Sequence, residues 1–89
     1  MKQVFKYPLD LIGIQHLKLP KYSKILCVKN QYDNIVLYAE VPDVYDTKET
    51  ITIIIVGTGR PMPNGNLMYI GTVLVQNGTL VWHVYEKIK

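Results

Sequence analysis

Cysteine, serine and histidine are scarce in this 89-residue chain, and each scarcity excludes a class of protein. Cys27 is the single cysteine, so one copy can form no internal disulfide and no cysteine-based zinc site. A reducing compartment is the expectation that follows. Ser23 is the only serine and lies in no nucleophile-elbow pattern. The two histidines, His16 and His83, and the acids Asp10, Asp33, Glu40, Asp43, Asp46, Glu49 and Glu86 show no metal-ligand spacing and no paired carboxylates. The sequence therefore predicts no enzyme, no metal and no cofactor. No apolar run approaches the roughly 20 residues that span a bilayer, and Met1–Pro8 carries no signal-like apolar stretch. The expectation is a cytosolic protein that does not contact a membrane.

What the chain does have is apolar content at 48% against 19% charged residues. That balance is enough to bury one modest core, and residues 1–89 read as a single domain. Ten basic residues face seven acids, for a net charge of +3. The excess is mild and shows no dense basic stripe, which ranks nucleic acid last among the partners considered. Small β domains leave strand edges to be covered, so a homo-oligomer is expected.

Alternation with a period of two dominates the pattern. Ile35, Leu37, Ala39 and Val41 form one apolar face, with Tyr38 and Glu40 on the other. Residues 49–56 are β-branched almost throughout, with Ile51, Ile53 and Ile55 on one side and Thr50, Thr52, Ile54 and Val56 on the other. Such a segment suits the middle of a sheet. Leu67–Gln76 and Thr79–Lys87 read as two strands around Asn77-Gly78, a pair that favours a tight type I′ hairpin turn. Segments 2–7, 12–19 and 23–29 read as further strands, and 31–34 as a hairpin loop. Leu9–Ile12 could form one turn of helix, and Val41–Lys48 reads as a mobile, exposed connection. The predicted fold is mainly β, a single antiparallel sandwich, small barrel or curved sheet of six or seven strands. Cys27, between Leu26 and Val28, reads as a small core residue, and Trp82 as a core anchor.

Between two of these strands lies Gly57-Thr58-Gly59-Arg60-Pro61-Met62-Pro63-Asn64-Gly65-Asn66. Glycine lets backbone amides approach an anion, proline stiffens the loop in advance, and a guanidinium can clamp a phosphate or carboxylate. Gly57, Thr58, Gly59 and Arg60 are therefore candidate ligand contacts. A proline-stiffened connection without a ligand is the plainer alternative. The loop lacks the lysine and Ser/Thr of a P-loop, and no helix pattern follows it. On the last strand, His83 and Tyr85 share a face, so the imidazole could donate to a ligand oxygen and the phenol could stack on a base. Tyr69 is a second stacking candidate among seven tyrosines, a number that suits binding surfaces.

Lys6-Tyr7-Pro8-Leu9, the loop Gly57–Pro63, Tyr69-Ile70-Gly71-Thr72-Val73 and the closing Val81-Trp82-His83-Val84-Tyr85-Glu86 together resemble a family of small phage and prophage proteins of unknown function. Its members open with a similar Tyr-Pro-Leu, carry a Tyr-Gly-Thr-Gly-His-Pro-Ile-Pro-like loop and end in a Trp-His-Val-Phe-Glu-like strand. The likeness runs along essentially the whole chain in the same order. Arg60 stands where that family usually has histidine, and Val56 where it has an aromatic. The resemblance implies a phage origin and brings no activity with it. The functional expectation is a non-enzymatic binding protein that counters host defence by sequestering a small nucleotide signal. Gly57, Gly59 and Arg60 would meet the phosphate, and Tyr69 or Tyr85 the base. The alternative is an inhibitor or adaptor that docks on a host protein through a tyrosine-rich sheet face.

Overall fold

The computed structural model of the chain describes residues 1–11, 13–43 and 47–88. The strands are β1 (Gln3–Pro8), β2 (Ile14–Pro20), β3 (Lys24–Gln31), β4 (Asn34–Val41), β5 (Lys48–Gly57), β6 (Asn66–Val75) and β7 (Leu80–Ile88). All pair antiparallel, in a three-stranded sheet of order β1-β4-β3 and a four-stranded sheet of order β2-β5-β7-β6. The all-β architecture expected from the alternation is what forms, as two sheets packed face to face.

The core is made by the inward halves of the alternating patterns. Ile35, Leu37 and Ala39 of β4 and Val28 of β3 meet Ile53 and Ile55 of β5, Val73 and Val75 of β6 and Val84 of β7. Leu37, Ala39, Ile53 and Val84 are completely buried. Trp82 packs against this cluster from its margin, half-buried. Ile54 and Val56 point to the other side of β5 and are buried as well. Near its end this strand has the Pro61-Met62-Pro63 segment across the outer side, opposite Ile54 and Val56, so both of its faces are covered there, as its β-branched content requires. Pro8 closes β1 at a sheet edge, where its missing N–H breaks no ladder.

Several local expectations are corrected. Leu9–Leu11 form no helical turn; Leu9 is buried with its N–H on the Ile35 carbonyl at 2.9 Å, and the Gln15 amide brackets both the N–H and the C=O of Asp10 at 3.0 and 2.7 Å. Ile12 lies outside the described residues, as do residues 44–46 of the connection expected to be mobile. Cys27 is only half-buried, because a bulge after Ile25 turns it outward opposite Tyr38.

The tight turn expected at Asn77-Gly78 forms: φ is 56° and 83° at the two residues, and the Thr79 N–H donates to the Gln76 carbonyl at 3.1 Å. Tyr32-Asp33, between β3 and β4, makes a second turn of this kind, with φ of 53° and 66°. The two hairpin tips are tied together. Asp33 Oδ1 accepts the Gln76 N–H at 3.0 Å, and Asn30 Nδ2 donates to the Leu74 carbonyl at 2.7 Å. Those bonds hold the tip of one sheet to the tip of the other.

A second bulge separates Tyr69 from Gly71 in β6. Gly71 faces inward against β3, where an added Cβ would stand 2.9 Å from Val28 Cγ2. Val28 is buried and branched at Cβ, so it has no rotamer freedom to yield. Gly71→Ala is expected to destabilise the fold by about 1–3 kcal/mol, the cost of overpacking. Urea unfolding of the two proteins measures it.

Candidate functional site

β5 outruns its neighbour β2, and the groove forms where that happens. Ile55 donates its N–H to the Gly13 carbonyl at 2.9 Å, on the β2 side, while Thr58 donates to Val81 at 3.3 Å, on the β7 side. Successive strand residues turn their backbone groups to opposite sides, so Gly57 presents its N–H and C=O on the β2 side, past the end of β2. The carbonyl is used by the Arg60 N–H at 3.1 Å, in a turn that has Gly59 at φ 86°. A type II turn demands such a residue at its third position. The Gly57 N–H has no backbone hydrogen-bond partner among the described residues.

Pro61 and Pro63 then carry the chain back over this open edge. The result is a groove of about 480 Å³, walled by Ile14, Ile54 and Val56 on one side and by Pro61, Met62 and Pro63 on the other, with Trp82 and Arg60 at its end. A second groove of about 410 Å³, lined by Thr58, Thr79, Leu80 and Val81, shares Gly57, Arg60 and Trp82 with the first. Arg60 thus borders both. Its side chain is exposed and makes no ion pair among the described residues.

Gly57 is what lets these groups assemble. A Cβ at this position would lie 3.1 Å from Trp82 Cζ3 and 3.6 Å from Arg60 Cγ, so the indole and the arginine stem occupy the space a side chain would fill. Trp82 Nε1 is buried without a hydrogen-bond partner among the described residues. An unpaired buried donor costs about 1–3 kcal/mol, so packing, and not its N–H, holds the ring there.

The residues expected to form one site divide into two groups. Gly57 and Arg60 meet at the grooves, whereas Tyr69, His83 and Tyr85 lie on the outer face of the four-stranded sheet. Thr58 touches both groups. Its hydroxyl is 2.8 Å from His83 Nε2, and His83 Nδ1 is 3.0 Å from Thr72 Oγ1, which is 2.5 Å from the Tyr69 hydroxyl. Tyr69 also packs edge-on against Tyr85, with ring centroids 5.6 Å apart. His83 is therefore satisfied by two threonines, which uses both nitrogens expected to reach a ligand. Gly59 lines neither groove. Of the loop amides expected to form a cradle, those of Thr58 and Arg60 are spent within the protein, whereas those of Gly57 and Gly59 have no hydrogen-bond partner among the described residues.

Trp82 as a groove wall, Ile14, Met62 and Thr72 were not legible as site residues. Thr72 joins Tyr69 on one face only because the bulge at Ile70 inserts an extra residue between them. No sequence signal announces that insertion.

These features define a small all-β domain with an open, mostly apolar groove and a cation at its end. Over residues 1–89 the chain matches the family described as Domain of unknown function (DUF7352), and it belongs to that family. No curated protein and no solved structure matches it.

A third cavity of about 350 Å³ opens near Glu49 and Glu86, with Leu19, Ser23, Lys24 and Met68 among its walls. Burial, and then the nearby Glu49 carboxylate, raise the pKa of Glu86 above the ordinary glutamate range. The folded state therefore holds its proton to a higher pH than the unfolded chain does. As pH climbs from the ordinary glutamate pKa through the raised one, the unfolded state ionises first and stability falls. Glu86→Gln is expected to raise stability at neutral pH and to flatten that decline, as read from urea midpoints across mildly acidic to neutral pH.

Proposed function

We propose that this domain is a non-catalytic receptor for a small ligand that combines a flat apolar body with an anionic group. The observation that carries the reading is the meeting of an uncommitted guanidinium, Arg60, and an outward backbone donor, the Gly57 N–H, at the end of the apolar groove. Concave, largely apolar sites with a few convergent polar groups are how proteins bind small molecules, and about 480 Å³ falls within their usual size. The anion is received by charge-assisted hydrogen bonds from Arg60. The apolar body lies between Ile14 and the Pro61-Met62-Pro63 wall, against Trp82. The prolines hold that wall in place before binding, which lowers the ordering cost.

A nucleotide fits this description, with its base in the larger groove and a phosphate at Arg60. A dinucleotide could extend into the second groove around the same cation. Sequestering a nucleotide signal of host defence is the role that the phage-like motifs favour for such a receptor.

The test is calorimetric titration with cyclic dinucleotides and cyclic ADP-ribose-type compounds. Saturable heat is expected for at least one member of the panel, and silence across it overturns the reading. Arg60→Ala is expected to cost about 1.5–3 kcal/mol of affinity. The unfolding midpoint should not move, because this exposed side chain has no ion pair among the described residues.

A further inference from the structure

Strand alternation sorts the charges of the four-stranded sheet by sign. Its acids, Glu49 and Glu86, point inward: Glu49 pairs beside buried Leu19, Glu86 beside buried Ile53, and both border the cavity described above. Its lysines, Lys18, Lys48 and Lys87, fall on the alternate positions and point outward. All three are exposed, and none is in an ion pair among the described residues. Among the described residues of its strands, the outer face therefore carries cations and no carboxylate. The same face presents Tyr69, 57% exposed, and Tyr85 directly across from it. The register places this pair one step along the strands from Lys87, on the row of Ile54 and Ile14, and Lys18 and Lys48 lie further in the same direction. The outer face of the three-stranded sheet differs. There Glu40 sits among the lysines, 3.4 Å from Lys2, and Lys6 is tied to Gln31 at 2.9 Å.

We infer that the outer face of the four-stranded sheet binds single-stranded nucleic acid, with backbone phosphates on Lys18, Lys48 and Lys87 and a base stacked on the exposed Tyr69 ring beside Tyr85. An open sheet face that joins aromatic rings to unpaired cations is the chemistry by which β domains hold unpaired strands. Charge complementarity selects this occupant, since the described residues of these strands offer a polyanion three cations on this face and no acid. The contact residues of this face are not those at Arg60, although Ile14 and Ile54, on the row of the tyrosine pair, also wall that groove. The low overall charge concealed it, because the inward acids cancel the outward lysines only in the count.

The test is fluorescence anisotropy with labelled oligothymidylate and oligouridylate of about 12 nucleotides, within the span one small β domain covers, and with a duplex of equal length. Both single strands are expected to bind, more tightly than the duplex. The log of the affinity should fall against log salt with a slope of about −2, as three phosphate contacts on a single strand require. Tyr69→Ala should weaken binding on the order of tenfold, while Lys18→Gln, Lys48→Gln and Lys87→Gln together should flatten the salt dependence. Arg60→Ala should leave it unchanged, so this face and the groove stand or fall separately. The inference is overturned by no binding at low salt, by equal affinity for duplex, or by binding that Tyr69→Ala does not alter in a protein whose unfolding midpoint is intact.

Discussion

The burial of one alternating stripe against another, Leu37 and Ala39 of β4 over Ile53 of β5 and Val84 of β7, is the constraint on which the rest of the molecule depends. Side chains alternate strictly along a strand, so choosing the inward set assigns every other residue its side. Once Ile53, Ile55 and Val84 face the core, His83, Tyr85 and Lys87 must face out. Glu86 must then turn in. A slip of one residue between β5 and β7 would bury the histidine and lysine and expose the core valine.

The same constraint acts on the backbone. With β5 held between β2 and β7, its peptide groups alternate between the two neighbours, and the end of β2 at Ile14 leaves the last of them facing an open edge. Gly57 occupies that position. Lacking a side chain, it admits the Trp82 ring on one flank and the Arg60 stem beside it, so that a cation and a donor from one turn converge with an aromatic wall from β7. The groove results from a strand that is longer than its partner and from the residue placed at its end.

Much of the fold could be read in the sequence, because period-two patterning states which residues face together. The inward stripe of β4, both faces of β5 and the opposite facing of Trp82 and His83 are all visible in the order of residues. Turn geometry was legible in part. Asn77-Gly78 has the chemistry of a tight hairpin and forms one, with the Gln76 carbonyl accepting the Thr79 N–H at 3.1 Å. Tyr32-Asp33 takes left-handed angles with no glycine to announce them, its Asp33 N–H accepted by the Asn30 side chain at 2.9 Å. The candidate site was legible as a list of residues but not as a geometry. Thr58 and His83 are held together by a hydrogen bond across 25 positions of sequence, and no local pattern encodes such a meeting.

By itself the sequence determined an all-β chain, the pairing of faces within each strand, and a glycine- and proline-rich loop with one arginine, because these depend on local alternation and on the backbone freedom of single residues. Only the tertiary structure decided that β2 stops short of Gly57, that Trp82 walls the groove, that a bulge aligns Tyr69 with Thr72, and that three lysines share a face with no acid among the described residues of its strands. Those outcomes depend on strand order and register. These are set by the burial of side chains distant in the chain, and that burial is a property of the assembled pair of sheets rather than of any segment within them.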